Sequence, residues 1–417
     1  MIFNPFTPNK PVHSGMFSGR FREIQRTDEL LYQTVNCNPT HIIYQGERGI
    51  GKTSLLLAAK FLAEGKINFS ENKYNFITVP IIISEDMNIY NFAIVLKNAL
   101  ERVLRKSDKA YSFFKKTWDF VQRLEAAGIR VNDCKKDSDT VSIINSLIYS
   151  FVDTVKSLTT DSLIADLGLT EKKDGIVILM DEVDRSSKEL NIGSFIKNLT
   201  EILAFEDCNK VLFILSGLPH LRDALTNSHE SSLRLFEEFE LSSLNLDEVK
   251  HVVDMGINEI NNKLTHNKIK LDDYTYRQIF NYSEGYPHFV QQICYSVIEK
   301  IEERGHIITC DDVKFSMFRE NGALDQIGNR YYNDLYYKKI NVDSYRQILR
   351  IMSHEWNNWV TKSDIKKQFK GTEKNLDNGL HALKSKNIIL HEKGSRGRYR
   401  LQWASFAFWI KNHNEMK

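Results

Sequence analysis

The densest concentration of chemistry in the 417 residues lies at Gly46-Glu47-Arg48-Gly49-Ile50-Gly51-Lys52-Thr53, which fits G-x-x-x-x-G-K-[ST] without a mismatch. Glycines at these spacings let the backbone wrap around phosphate oxygens with its amides turned inward. A helix beginning near Lys52 would add the positive end of its dipole. Lys52 is expected to contact β- and γ-phosphates, and the Thr53 hydroxyl to ligate Mg²⁺. Glu47, Arg48, Ile50 and Ser54 complete the segment expected to line ATP. A second constellation is Val177-Ile178-Leu179-Met180-Asp181-Glu182-Val183-Asp184. Four apolar residues make a buried strand, and Asp181 emerges at its carboxyl end, where such sheets bind ligands. Asp181 is expected to hold Mg²⁺ through water, and Glu182 to orient or deprotonate the attacking water. Glu182 has no task if nucleotide is only held, which favours a hydrolase over a binding module. Ser216 ends the next strand, placed either to bond the γ-phosphate or attacking water or simply to close the strand in a turn.

These side chains need a scaffold, and the sequence describes one. His41–Gln45, Phe76–Ser84, Ile176–Met180 and Val211–Ser216 read as continuous apolar strands, with an apolar helix at Thr53–Leu62. Buried strands separated by helices imply a parallel sheet covered on both faces. Residues 89–170 read as a long helical insert, with helical apolar spacing at Ile143–Val155, serving as structural helices or a partner-facing face. From Asp247 the strands stop, and Asp247–Leu264, Asp272–Ser283 and Pro287–Ile301 read as amphipathic helices. Helices at Tyr345–His354, Thr361–Phe369 and Thr372–Lys386 then precede a hairpin, Ile388–Leu390 with Tyr399–Gln402. That is the order of a winged helix. Three of the seven prolines fall at Pro5, Pro8 and Pro11, marking an extended N-terminal arm.

Composition narrows the classes. Hydrophobic residues make up 42% and charged residues 26%, the profile of a globular chain whose length asks for two or three domains. A formal net charge of +2 supplies no global field toward nucleic acid. A local patch exists: Thr361–Arg400 carries eleven Lys and Arg against four Asp and Glu, a net +7. Lys393, Arg396 and Arg398 place that charge on the wing tip, suited to DNA phosphates. Helix Thr372–Lys386 offers only Asn375, Asn378 and His381 for reading bases, so contact should tolerate sequence. Five scattered cysteines form no CxxC pattern, and buried free thiols of a reducing compartment are expected. No apolar run nears the roughly 20 residues that span a bilayer, and no leader pattern opens the chain. No membrane association and a cytoplasmic location are expected.

With these motifs in place, the chain resembles the AAA+ superfamily, in the branch of replication-initiator ATPases and the related STAND-like archaeal ATPases. Phe17-Ser18-Gly19-Arg20 with Glu23 resembles the branch's F-x-G-R-x-x-E element, which implies that Arg20 shapes the adenine pocket. Asp181–Asp184 is similar to its Walker B and Ser216 to its sensor 1. Arg234-Leu235-Phe236 with Phe239–Leu241 resembles the segment closing the ATPase core, and Gly285-Tyr286-Pro287 the G-x-P element of the lid. The implied fold is α/β: a P-loop NTPase parallel sheet with helices on both faces, followed by an α-helical lid and a winged-helix domain. The implied boundaries are an arm at 1–20 joining the adenine pocket, a core at 21–241, a lid at 242–338 and the winged helix at 339–417. The resemblance also implies a homo-oligomer formed with ATP, with Arg234, or failing it Arg222, as a finger reaching a neighbour's site. One departure stands out: the residue after Pro287 is His288, where the branch often carries a sensor-2 arginine. Three biological readings follow: a switch assembling on DNA, a STAND-like signalling or antiviral switch controlling an effector protein, and a transposition target regulator.

Overall fold

The computed structural model describes residues 3–10, 19–105, 107–121, 137–165, 167–264, 268–301, 307–355, 358–386, 388–392 and 397–415. It divides into two compact units, residues 11–242 and residues 1–10 with 243–417.

The first unit is built on a five-stranded, wholly parallel sheet. Its strands are β1 (His41–Gln45), β2 (Ile77–Ile82), β3 (Ile176–Asp181), β4 (Val211–Gly217) and β5 (Phe236–Glu240), in the order β2-β3-β4-β1-β5. β1 and β4 are buried along their whole length, as strands covered on both faces must be. β5 is the strand that apolar patterning misses. Phe236-Glu237-Glu238-Phe239-Glu240 is an edge strand whose glutamates meet Arg26 and Arg222 instead of a core. Pairing of His41 with Phe236 and of Gln45 with Glu240 fixes its register on β1.

Helices α1 (Phe21–Val35) and α2 (Lys52–Ala63) flank β1 in sequence. The helical insert comprises α3 (Ile89–Leu104), α4 (Asp108–Thr117) and α5 (Asp137–Thr159). Its apolar faces are not reserved for a partner: Leu96, Phe114, Trp118, Phe151 and Val155 join the same buried cluster as Ile178 and Phe213 of the sheet. Helix α6 (Ile192–Phe205) joins β3 to β4 and adds Phe195, Ile196 and Leu199 to that cluster.

The second unit starts with helices α7 (Leu246–Lys263), α8 (Asp273–Ser283), α9 (Pro287–Ile298) and α10 (Cys310–Phe318). Their starts are chemically specified. Asn245 and Glu248 form a capping box, Asp272 accepts from the Thr275 amide at 2.7 Å, and Pro287 takes the first helical position. Strands do not stop at Asp247: β6 (Lys270–Leu271) and β7 (Ile307–Ile308) make a two-residue parallel bridge, too short to leave a pattern. Helix α11 (Asp343–Ser353), β8 (Val360–Thr361), α12 (Lys362–Gln368), α13 (Glu373–Ser385), β9 (Ile389–His391), β10 (Arg398–Leu401) and α14 (Ala404–Glu415) follow. Their sheet runs β8-β10-β9 and is antiparallel, which gives the order of a winged helix with one extra strand before α12.

The arm read as residues 1–20 divides between the units. Residues 3–10 pack in the second: Phe6 is buried against Gly256, where a Cβ would fall 2.2 Å from the ring. Asn4 donates to the Tyr295 carbonyl at 3.0 Å and the Thr7 amide to Gln291 Oε1 at 3.0 Å. Aromatic packing joins a π-helical turn at Gly328–Tyr332 to the last helix: Tyr332 lies 4.7 Å from the Phe406 ring and bonds Ser405 at 2.6 Å. Of the free thiols, Cys208 and Cys294 are buried, but Cys37 is exposed and Cys310 partly so, which corrects the expectation of uniformly buried thiols. Cys134 lies outside the described residues. Among the described residues no helix is long and apolar enough to cross a membrane.

Candidate active site

The loops leaving β1, β3 and β4 converge because these strands are parallel neighbours, so their carboxyl ends open on one edge. The loop after β1 begins at Gly46, whose amide donates to the Gly217 carbonyl at 3.2 Å. A Cβ on Gly46 would stand 3.0 Å from both the Ile50 side chain and the Leu241 carbonyl. Gly49 (φ 84) and Gly51 (φ 100) make the left-handed turns that L side chains resist. Ile50 is buried and anchors the loop, while Arg48 is exposed. Gly51 caps α2 without a side-chain partner, so the first amides of α2, from Lys52, Thr53 and Ser54, form an anion-facing helix start.

Lys52 Nζ donates to the Gly46 carbonyl at 2.8 Å and the Glu47 carbonyl at 2.9 Å. Burial lowers its pKa, while Asp181, Asp184, Glu47 and Glu182 oppose that by attraction. Its ammonium is therefore held over the loop by two carbonyls and surrounded by carboxylates.

Asp181 is the hub of the site. Its Oδ2 accepts from the Thr53 hydroxyl at 2.7 Å, and its Oδ1 accepts from the Ser216 hydroxyl and, at 3.0 Å, from the Glu182 amide. Ser216 is fully buried, so its hydroxyl fixes the carboxylate in one orientation. Two hard oxygens 2.7 Å apart, from Thr53 and Asp181, are the donor chemistry Mg²⁺ takes alongside phosphate oxygens and water. The residues present fit that ion.

Glu182 stands at φ 58, a left-handed conformation that turns the chain immediately after the strand. Its carboxylate pairs with Arg185 at 3.1 Å. Asp184, given no role by motif reading, is the brace beneath this turn. Its Oδ1 accepts from the Leu218 amide at 2.9 Å, tying the end of β3 to the end of β4. Gly217 is required there, since a Cβ would fall 2.6 Å from Asp184 Oδ1. The fourth position of Asp-Glu-Val-Asp was the available signal for this brace.

The arginines sort by environment. Arg234, in a 3₁₀ turn before β5, is exposed and has no ion-pair partner among the described residues. Arg222 pairs with Glu238 at 3.3 Å. Arg20 donates to backbone carbonyls of Ile50 and Ser242. Phe17 and Ser18, read with it, lie outside the described residues. Pro287 belongs to the second unit, at the start of α9. Beside it the fold supplies an arginine that sequence neighbourhood lacks: Arg330 Nη1 sits 3.3 Å from His288 Nε2. Forty-two residues separate the two, so no local motif announces the pairing.

On the winged helix, Lys393 and Arg396 lie outside the described residues, and Arg398 pairs with Glu392 at 2.9 Å. Asn375, Asn378 and His381 are exposed on α13.

No protein-family profile matches the chain, and no curated protein matches it. Solved structures do. A Walker-type ATPase of Pyrococcus abyssi is 15% identical, with a TM-score of 0.52 over 95% of this chain and 96% of that one. The ORC2 protein of Aeropyrum pernix, in its ADPNP–ADP complexes, is 11% identical, with a TM-score of 0.52 over 96% of each. At such identities the likeness shows the fold alone: a parallel sheet covered by helices with a helical C-terminal region, shared with these two proteins.

Proposed function

We propose that the chain is a Mg²⁺-dependent ATPase of the AAA+ kind, a switch that oligomerises with ATP and acts on or with DNA. The observation that carries the ATPase reading is the convergence of Thr53, Ser216 and the Glu182 amide on one carboxylate, Asp181, beside a complete phosphate loop. Loop amides and the start of α2 bind the phosphates, and Lys52 exchanges carbonyl partners for phosphate oxygens. Thr53 and Asp181 would hold Mg²⁺, which supplies charge neutralisation on the phosphates. Ser216 keeps Asp181 oriented. Glu182 accepts the proton of the attacking water once its carboxylate leaves Arg185. Arg234, exposed and without an ion-pair partner among the described residues, is better placed than Arg222 to serve a neighbouring subunit.

Glu182→Gln tests the reading. Turnover should fall by about 10²–10⁴-fold, the range typical of losing a general base, while ATP affinity persists. Unchanged turnover refutes the assignment. The DNA-directed half rests on the exposed polar face of α13 with Lys374, Asn375, Asn378 and His381. An ATP-dependent shift of duplex DNA at low salt separates it from the effector-controlling alternative, which uses the same nucleotide site.

A further inference from the structure

Arg20 follows Gly19 at the head of α1, and the two stand at φ 58 and φ 78 respectively, so successive residues occupy the left-handed region. An arginine takes that conformation only where its surroundings hold it. The turn drives the side chain inward, leaving the residue 7% exposed. There Nη2 donates to the Ile50 carbonyl at 3.2 Å and also to the Ser242 carbonyl, while Nη1 lies 3.7 Å from Glu23. One guanidinium thus joins the middle of the phosphate loop to residue 242, and the chain enters the second unit at Ser243.

The loop contact has a directional consequence. A planar trans peptide points its C=O and N–H in opposite directions. An Ile50 carbonyl turned toward Arg20 therefore turns the Gly51 amide to the opposite side of the loop. That amide belongs to the set that cradles phosphate. Close by, the Leu241 amide donates to the Gln45 carbonyl at 2.8 Å, so the chain before Ser242 is pinned to the strand feeding the loop.

We propose that Arg20 is a positioning residue that sets the Ile50–Gly51 peptide of the phosphate loop and couples its state to Ser242, the last residue before the second unit. The proposal rests on the nucleotide reading above and goes beyond it by assigning the path from loop to linker. Phosphate bound to the Gly51 amide polarises the peptide and strengthens Ile50 as an acceptor for Arg20. The same guanidinium then holds Ser242 more tightly. Lysine cannot replace it, because a single ammonium lacks the planar fork that spans two carbonyls.

The test uses the full chain with ADP as probe, read by binding titration and by hydrogen–deuterium exchange of peptides covering 46–54 and 236–246. In the wild type, ADP should slow exchange in both segments. Arg20→Gln should bind ADP about tenfold more weakly, in line with losing one charge-assisted hydrogen bond. At saturating ADP it should protect 46–54 but leave 236–246 unresponsive. Arg20→Lys, the milder variant should the first not fold, should behave the same way. Wild-type protection of 236–246 in either variant at saturation overturns the coupling, and unchanged ADP affinity overturns the positioning role. A wild type that binds no ADP overturns the nucleotide reading itself, and this proposal with it.

Discussion

Two charged regions of this chain treat charge in opposite ways. At the sheet edge, the hydrogen bonds to Asp181 come from two hydroxyls and an amide, all neutral donors, while the nearby Lys52 ammonium is held on loop carbonyls. On the winged helix three lysines are already matched by carboxylates. Lys362 meets Asp377 at 2.5 Å and Glu373 at 3.4 Å, Lys366 meets Glu373 at 2.7 Å, and Lys367 meets Asp364 at 2.8 Å. A count of charges along the sequence ranks the second region as the stronger field. Geometry qualifies that count, because Lys362, Lys366 and Lys367 are less free to meet a ligand than their charge alone suggests.

Asp181→Asn should have the largest effect. The amide keeps the size of the side chain and removes the charge that the neutral donors preserve. Charge stabilisation of that kind is worth several kcal/mol, so phosphate release at saturating ATP and Mg²⁺ should fall about a thousandfold. A variant keeping a tenth of wild-type turnover would show that the charge of Asp181 is not what matters.

A smaller effect comes from a group the first unit buries without any charge. His41 lies between the rings of Phe213 and Phe236, at 5.0 and 5.4 Å, with Nε2 3.1 Å from the Thr200 hydroxyl. Burial pushes its pKa down from 6.5 to about 3. The unfolded chain thus takes up a proton below about pH 6.5 that the folded chain refuses until about pH 3. Stability must therefore drop as pH falls through that window, by about 1.4 kcal/mol per unit once well below the upper value. Between pH 7 and 5, urea unfolding of wild type should lose about 2 kcal/mol more than His41→Gln does. Equal losses would mean that the folded protein accommodates the proton.

The same division explains what the sequence reveals. The phosphate loop, β1, β3, β4 and the Asp272 cap of α8 are legible because each is written in contiguous residues: an apolar run, a glycine spacing, an Asp before a helix. The cap of α7 is Asn245, two residues before the Asp247 that the pattern suggests. β5 is hidden because an edge strand needs no apolar alternation, and Glu237 is satisfied by Arg26, 211 residues away. Arg330 beside His288 and Phe6 against Gly256 are hidden for the same reason, since only tertiary packing joins them. In the site, the identities of Lys52, Thr53, Asp181 and Ser216 are readable, and so is their convergence once the strands are known to be parallel. Asp184 and Arg20 stand within readable motifs, but their bracing roles are not readable, because their partners are backbone atoms, which no residue type announces.

The smallest expected effect probes the compensated region. Glu373 and Asp377 lie in the first turns of α13 and hold Lys362 and Lys366. The double change Glu373→Gln with Asp377→Asn frees both lysines while leaving the Thr372 cap on the Asn375 amide intact. Exposed pairs of this sort contribute little to folding, so the melting temperature should barely move. Duplex binding should respond if this face meets DNA. Each newly available cation that contacts a phosphate steepens the salt dependence of log K by about 0.9, so the slope should rise by up to about 2. Affinity should rise several-fold at low salt and converge with wild type at high salt, where counterion release no longer drives association. An unchanged slope in a chain that does bind DNA would place the contact on another face. These two carboxylates would then be ordinary surface partners, and the contrast with Asp181 would rest on the sheet edge alone.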